Sequence, residues 1–258
     1  RYCPKQSHAF LHQYFDRPIV DEWFHILRQL IKKRWPNLKL KRTSFKYSLS
    51  HDIDRPFRYL SIDFYSFLRR SLGELKTFNF IRFINSFQIR FSKNTDFERL
   101  DPYNTFDWLI EFANNQKIQS TFYFMSGITN RNYDGCYDLN DKRIISILKK
   151  IDKQGHLIGL HPSFETYKCK FILEKELKKI KDICKSNGIS QDIISSRMHY
   201  LKWQNPHTLL ICDSLGIKYD STLGFSEYIG FRSGTCFSYQ GFDPLKKRIL
   251  NIRIKPFQ

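Results

Sequence analysis

The segment SHDID, residues 50–54, places an imidazole and two carboxylates at the end of an alternating apolar run. Residues 45–50 alternate and are rich in aromatic side chains, which predicts a β-strand that ends near these polar groups. Pro56 follows, and proline interrupts regular strand pairing. Because ligands gather at the C-terminal ends of strands in α/β folds, one of Asp52 and Asp54 is a candidate metal ligand and the other a candidate proton acceptor. An Asp-rich turn without chemistry explains this motif alone equally well.

A second segment, GHLIGLHPSFE at residues 155–165, again predicts a short buried strand that ends in a polar turn able to bind a ligand. His161 and Glu165 stand four residues apart, so they share one face if the turn is helical. Glu165 then completes an oxygen-rich metal site, or it is a solvated carboxylate at a helix start. His156, at the start of the strand, is better explained as a core residue than as a ligand.

These segments, taken in order, resemble the polysaccharide deacetylase family, the NodB-homology group of carbohydrate esterase family four. The resemblance covers about residues 46 to 240. It rests on the Asp-x-Asp strand end, the strand at 120–124, the Gly-His-x-Ile-Gly-x-His strand, an arginine segment at 196–201 and the segments 219–224 and 230–235. It implies an α/β fold, an irregular (β/α)7 barrel of the polysaccharide deacetylase type with a helical insertion. It also implies a metal-dependent hydrolase that removes acetyl groups from an N-acetylated glycan or glycan precursor.

The same resemblance assigns roles to individual residues. Asp52 corresponds to the family's catalytic base and Arg197 to the arginine that orients it through a charge-assisted hydrogen bond. Asp54 and His161 correspond to metal ligands. The implied cofactor is a divalent metal, zinc above all, since such an ion polarises an amide carbonyl and lowers the pKa of water.

Three further residues keep more than one interpretation. His199 is expected on the same strand face as Arg197, where it is a third metal ligand, an acid or a buried structural histidine. We include His199 and Glu165 among the candidate metal ligands. Asp220 and Arg232 are candidate substrate contacts, with ordinary salt bridges as the alternative.

Two departures from the family pattern keep a second function open. Glu165 stands where the family has a second histidine, and no histidine follows Arg248 to serve as a late general acid. The segment after Pro244 predicts the approach to a final strand, so we expect the barrel to be C-terminally incomplete or its activity to be altered. The alternative is a catalytically impaired deacetylase-like protein that binds carbohydrate or a partner in polysaccharide biosynthesis.

Composition and net charge limit the classes of binding partner that we expect. The chain has 258 residues, 41% of them hydrophobic, which is enough for one substantial core. Its net charge of +18 suggests nucleic acid, yet no nucleic-acid-binding signature accompanies it. Solvated lysine and arginine helix faces explain the charge first, and peripheral contact with an anionic glycan or lipid surface second. Acetylated carbohydrate is therefore the expected partner, and nucleic acid is not.

The remaining sequence features concern organisation and compartment. Scattered cysteines without a Cys-x-x-Cys pair favour a reduced, cytoplasmic setting. Residues 1–44, with an amphipathic helix at 19–34, are expected to be the tail of an N-terminal domain or a packing helix. Residues 45–258 alternate predicted strands and helices, which favours parallel βα units in the deacetylase-like barrel. Within them, 55–100 is the expected helical insertion, with a break near Gly73.

Overall fold

The computed structural model describes residues 4–41, 44–60, 62–91 and 99–257. Within these ranges the strands are β1 Ser50–Ile53, β2 Thr121–Phe124, β3 Leu157–Leu160, β4 Ser195–Ser196, β5 Tyr219–Asp220, β6 Tyr239–Asp243 and β7 Arg248–Ile254. The α-helices are α1 His8–Leu11, α2 Ile19–Arg34, α3 Phe64–Lys76, α4 Phe80–Phe91, α5 Phe106–Asn115, α6 Lys142–Lys153, α7 Lys170–Ser186 and α8 His207–Ser214. Of the helices described here, none is long and apolar enough to cross a bilayer.

One seven-stranded sheet of order β1-β2-β3-β4-β5-β7-β6 organises the fold. Neighbours from β1 to β5, and the β5–β7 pair, are parallel, whereas β6 pairs antiparallel with β7. Helices α5, α6, α7 and α8 lie in the connections between successive parallel strands, as parallel pairing requires a crossover. The predicted α/β class with parallel βα units is therefore confirmed.

The sheet differs from the closed barrel that the resemblance implies. In the described part of the chain no backbone pairing joins β1 to β6, because β6 returns as a hairpin on β7 and takes the outer edge. The sheet is nevertheless strongly curved. β1 and β7 stand five strand spacings apart, about 24 Å in a flat sheet, yet Lys255 Nζ after β7 donates a 2.8 Å hydrogen bond to Ser48 Oγ before β1. Curvature therefore brings the two sides of the sheet together.

Helix α6 illustrates how the sequence pattern builds the core. The Asp141 side chain caps it by accepting a 2.9 Å hydrogen bond from the Arg143 backbone N–H. Ile144, Leu148 and Ile151 recur at helical spacing and are fully buried. Burial of each such side chain stabilises the fold by about 1.5–3 kcal/mol relative to leaving it exposed. They belong to one apolar cluster with strand residues that include Phe122, Phe124, Ile158 and Leu160.

The expected helical insertion forms α3 and α4 in its described part, and the two helices pack against each other. The predicted break near Gly73 is wrong, because α3 continues through this residue and the chain turns at 77–79 instead. Phe78 adopts a positive φ of 55° at that turn. Asp101 fixes the start of the insertion by accepting backbone hydrogen bonds from Arg58 and Tyr59.

Two strand predictions also need correction. Pairing of β1 with β2 begins at Ser50, and the predicted strand at 45–50 lies before it, with Phe45 87% exposed. Among the residues described, the contact of this segment with a strand is limited to its end, where the Leu49 carbonyl oxygen accepts a 3.0 Å hydrogen bond from Thr121 N. At the other end, the segment expected only to approach a final strand is itself β7, and β6 precedes it.

The amphipathic helix predicted at 19–34 is α2. None of its side chains is buried, and Trp23 on its apolar face is 64% exposed. Its first turn is attached to a distant loop, since Asp21 accepts hydrogen bonds from Thr235 Oγ1 at 2.6 Å and from Cys236 N at 2.8 Å. This end of α2 is therefore fixed against the C-terminal half of the chain.

Strand β3 contains a glycine that the packing of the sheet requires. We expect Gly159→Ala to lower the free energy of unfolding by about 1–3 kcal/mol, because the new Cβ would lie 2.4 Å from a ring carbon of Tyr123. Gly73→Ala is the matched control, since its Cβ meets no atom within 4 Å and alanine is better than glycine inside a helix by about 0.5–1 kcal/mol. Chemical denaturation measures both, and an unchanged or raised stability of the Gly159 variant would contradict the packing.

Candidate active site

Three side chains able to bind a metal meet beyond the C-terminal ends of β1, β3 and β4. Asp54 follows β1, His161 follows β3, and His199 begins a short 3-10 helix, His199–Leu201, after β4. His161 Nε2 lies 3.2 Å and His199 Nδ1 lies 3.5 Å from Asp54 Oδ1. The two nitrogens are 2.9 Å apart. One ligand atom from each residue lies within 4.8 Å of the others, and we call this group the Asp–His–His cluster.

Hydrogen bonds on the far side of each ring fix which nitrogen faces the cluster. His161 Nδ1 lies 2.5 Å from the Arg197 carbonyl oxygen, and His199 Nε2 lies 2.9 Å from the Tyr133 carbonyl oxygen. A carbonyl only accepts, so these nitrogens carry the protons and the opposite nitrogen of each neutral ring presents a lone pair. Metal-bound histidines are typically held by this kind of outer hydrogen bond.

The cluster gathers electron-rich atoms without a donor between them. Asp54 Oδ1 is buried and has no hydrogen-bond partner among the residues described. The lone pairs of His161 and His199 face this oxygen and each other, an arrangement that repels unless a cation lies among them. One carboxylate and two imidazoles form a donor set that suits zinc and related divalent ions. The residues present therefore fit a divalent metal.

The electrostatics of Asp54 agree with this fit. Burial raises the pKa of Asp54, but the positive charge of His161 or His199 when either ring is protonated, together with that of Arg55, outweighs burial, so that the pKa lies below its usual value. The carboxylate is thus ionised at neutral pH. Its side chain remains 49% exposed, so the cluster is open to solvent and to a ligand.

Asp52 lies on β1, and Arg197 holds its carboxylate. Arg197 Nη1 donates a 2.9 Å hydrogen bond to Asp52 Oδ1. The guanidinium also donates to the Ser50 hydroxyl at 2.7 Å and to the carbonyl and hydroxyl oxygens of Ser221, each at 3.1 Å. Hydrogen bonds from the described residues engage only Oδ1 of Asp52, which leaves Oδ2 for a further partner.

Aromatic rings complete the support of Arg197. Its guanidinium carbon lies 4.8 Å from the ring centre of Tyr123 and 4.2 Å from that of Phe257. The Arg197 side chain is only 4% exposed. Because it is buried, donates to Asp52, Ser50 and Ser221 and lies against two rings, Arg197 fixes the position of Asp52 rather than reaching into open solvent.

Glu165, predicted as a metal ligand, lies outside the Asp–His–His cluster. Its carboxylate pairs with Lys168 Nζ at 2.8 Å and with Lys202 Nζ at 3.7 Å. The chain after His161 enters a three-residue 3-10 helix, Thr166–Lys168, rather than an α-helix. The shared helical face that would align Glu165 with His161 therefore does not form, and His199 supplies the third group of the cluster.

Asp220 and Arg232, predicted as substrate contacts, lie in different settings. Asp220 is completely buried, which raises its pKa, and it accepts hydrogen bonds from Ser196 Oγ at 2.7 Å and Thr222 N at 2.8 Å. Asp220 therefore ties β4 to the loop after β5 and cannot touch a substrate at the surface. Arg232 is partly exposed and donates to the Gly224 carbonyl oxygen at 3.3 Å.

Sequence reasoning missed the aromatic residues around His199. Tyr133 and Phe164 stack with ring centres 4.4 Å apart, and Tyr200 meets both rings edge-on at 5.5 Å. Tyr200 also contacts the His199 ring at 4.5 Å, with a strained φ of 56°. The contribution of Tyr133 through its backbone oxygen leaves no signal in the sequence, because every residue carries a carbonyl.

A cleft of about 400 Å³ opens over the cluster. Asp52 lines it together with the cluster, so the candidate base and the candidate ligands face the same space. We call it the metal cleft. Its other lining residues are Tyr200, Leu201, Phe225, Ser226 and Phe257.

Comparison with known proteins adds a family of unknown function (DUF7033), which matches residues 1–36. No curated protein matches the sequence. Two solved structures are similar in fold. A protein from Mycobacterium smegmatis, provisionally assigned as a polysaccharide deacetylase, has a TM-score of 0.48 and 13% identity over 82% of this chain and 58% of its own. The 4-alpha-glucanotransferase from Thermococcus litoralis has a TM-score of 0.44 and 14% identity over 84% of this chain and 28% of its own. At these scores and identities, neither similarity indicates a function for this chain.

Proposed function

We propose that this protein is a metal-dependent hydrolase that removes acetyl groups from an N-acetylated glycan or glycan precursor. The observation that carries the proposal is the Asp–His–His cluster, with an orphaned Asp54 oxygen and both rings held by backbone carbonyls. The Arg197-held carboxylate of Asp52 lines the same cleft. The ordered motifs that resemble polysaccharide deacetylases point to the same chemistry, which we assign to residues 45–258.

Asp54, His161 and His199 would hold the ion, with zinc our first candidate because the set contains two imidazoles. A bound divalent ion supplies Lewis acidity toward an amide carbonyl and lowers the pKa of water. The protonated far-side nitrogens of His161 and His199 keep both rings in the tautomer that donates a lone pair.

Asp52 would act as the general base that takes a proton from the attacking water. Arg197 occupies Asp52 Oδ1, so Oδ2 is the oxygen that accepts the proton in this proposal. Arg197 is a positioning residue, because its hydrogen bond to Oδ1 sets the direction of the Asp52 carboxylate.

A catalytically impaired protein that binds carbohydrate is the second candidate, and one observation favours it. Among the described residues that line the metal cleft, His161 and His199 are the histidines, and both belong to the cluster. No separate imidazole in that lining is placed to protonate the leaving amine. Binding of an acetylated glycan without turnover is the result that this candidate predicts.

Acetate release separates the two candidates. We expect zinc-loaded protein to release acetate from N-acetylated chitooligosaccharides, a chelator to abolish the release, and added zinc to restore it, because the cluster needs the ion to polarise the amide. An enzymatic acetate assay and calorimetric binding are run on the same preparation. Binding of the oligosaccharide by metal-loaded protein without acetate release would favour the impaired protein and reject the hydrolase.

A further inference from the structure

A second cleft, of about 490 Å³, adjoins the metal cleft and shares Asp54 with it. Three arginines, Arg55, Arg70 and Arg131, line this second cleft, which we call the arginine cleft. Arg55 and Arg131 are exposed, and Arg70 is partly buried. A ligand whose acetyl group lies at the Asp–His–His cluster would therefore extend beside three guanidinium groups.

The arginines of this cleft have no carboxylate partner within the described residues. Asp134, in the same lining, is buried and accepts hydrogen bonds from Thr129, Asn130 and Phe164. Asp63 caps α3 by accepting from the Ser66 N–H at 2.9 Å. Asp54 belongs to the cluster. None of these carboxylates forms an ion pair with the cleft arginines, as far as the chain is described.

Arg70 is held inside the cleft, near Arg55. Its Nη1 donates a 2.7 Å hydrogen bond to the Arg58 carbonyl oxygen, which holds the side chain in place. Burial lowers the pKa of Arg70, and the nearby positive charge of Arg55 lowers it further. Arginines gathered in a cleft, with no carboxylate of the described residues in ion-pair contact with them, favour an anionic ligand.

We propose that the arginine cleft binds an oxyanion carried by the acetylated substrate, so that the enzyme prefers anionic over neutral N-acetylated glycans. This inference rests on the proposed hydrolase function and adds the substrate class. Guanidinium groups present paired N–H donors that match the oxygens of a carboxylate or a phosphate, whereas a neutral sugar hydroxyl offers no charge. The shared Asp54 sets the anion beside the sugar that carries the acetyl group.

The test compares three oligosaccharides of equal length. One is a neutral N-acetylated chitooligosaccharide, one is the same compound with a terminal phosphate, and one alternates N-acetylglucosamine with glucuronate. With zinc-loaded protein, we expect kcat/KM for at least one charged substrate to exceed that for the neutral one by about tenfold or more, since a hydrogen bond to a charged group contributes about this factor. Comparison of the phosphorylated substrate with the glucuronate substrate shows whether the cleft prefers phosphate or carboxylate. The preference should shrink as salt is added.

Substitutions in the arginine cleft test whether the preference for charged substrates arises there. Arg55→Gln and Arg131→Gln should each lower the charged-to-neutral ratio about tenfold, and Arg82→Gln, an exposed arginine on α4 outside both clefts, should leave the ratio unchanged. Equal kcat/KM for all three substrates, or a ratio that survives both cleft substitutions, would overturn the inference while leaving the hydrolase intact.

The same experiment shows separately whether the proposed hydrolase function is wrong. If no acetate is released from any of the three compounds, the proposed function is rejected, and the cleft is judged by calorimetric binding alone. Tighter binding of the phosphorylated or glucuronate compound that depends on Arg55 and Arg131 supports the anion site. Equal binding of charged and neutral compounds overturns it.

Discussion

Asp52→Asn is expected to lower kcat for acetate release by about 100- to 10,000-fold, the contribution typical of a positioned general base. Asparagine has nearly the same shape, and its amide oxygen can still accept the hydrogen bond from Arg197 that Asp52 Oδ1 accepts at 2.9 Å. It cannot take up a proton at neutral pH. Zinc content and the free energy of unfolding should therefore change little, because Asp52 lies outside the Asp–His–His cluster.

The control for this variant is Asp107→Asn. Asp107 is an exposed carboxylate on α5 that pairs with Lys150 at the surface, and an exposed ion pair contributes at most about 1 kcal/mol. Its variant should retain both turnover and zinc. If Asp52→Asn loses zinc and keeps turnover once zinc is in excess, then Asp52 is the ligand and the roles of Asp52 and Asp54 are exchanged.

The strand ends were the part of the site that could be predicted from sequence. Asp54 and His161 each follow a short strand, and the parallel strands of a sheet present their C-terminal ends at one edge. Because β1 and β3 both pair in parallel with β2, Asp54 and His161 reach the same edge of the sheet, where their side chains meet across one intervening strand. The Arg197–Asp52 contact follows from the same rule once the sheet curves.

The position of the third group of the cluster does not follow from the strand pattern. His199 was expected on a strand, yet β4 ends at Ser196 and His199 starts a 3-10 helix in which Tyr200 takes a positive φ. The ring is oriented by the Tyr133 carbonyl, from a loop some 66 residues earlier in the chain. Such a contact depends on tertiary packing and on a backbone atom, neither of which a local sequence pattern encodes.

The resemblance implies a closed barrel, and the open edge of the sheet could not be predicted for a related reason. The motifs of the resemblance end near residue 240, where β6 begins, and the hairpin of β6 and β7 decides the edge of the sheet. β6 alternates between exposed and buried positions. Edge strands and central strands can both show this pattern, so it does not reveal the position of β6 in the sheet. Its antiparallel direction follows from the short turn to β7, a connection too short for a crossover.

Two single variants test whether His199 or Glu165 is the third ligand of the proposed metal site. His199→Ala should weaken zinc binding by more than about 100-fold, since changes to the outer hydrogen bonds of a ligand alone cost about 10- to 100-fold and this variant removes the ligand atom itself. Glu165→Ala should leave zinc affinity unchanged, because the Glu165 carboxylate pairs with Lys168 and Lys202 outside the cluster. Competition with a chromogenic chelator measures both affinities.

His207→Ala provides the matched histidine control, as His207 is exposed on α8 and its ring lies 3.2 Å from the Lys168 carbonyl oxygen. Thermal unfolding in the presence of chelator shows whether each variant is folded before zinc is added. If zinc binding is retained in His199→Ala and lost in Glu165→Ala, then Glu165 and not His199 is the third ligand. That result would require the turn after His161 to rearrange, because Glu165 reaches the cluster only if that turn becomes helical. Loss of zinc with His199→Ala and retention of zinc with Glu165→Ala is the outcome that we expect, because Glu165 pairs with Lys168 and Lys202 outside the cluster.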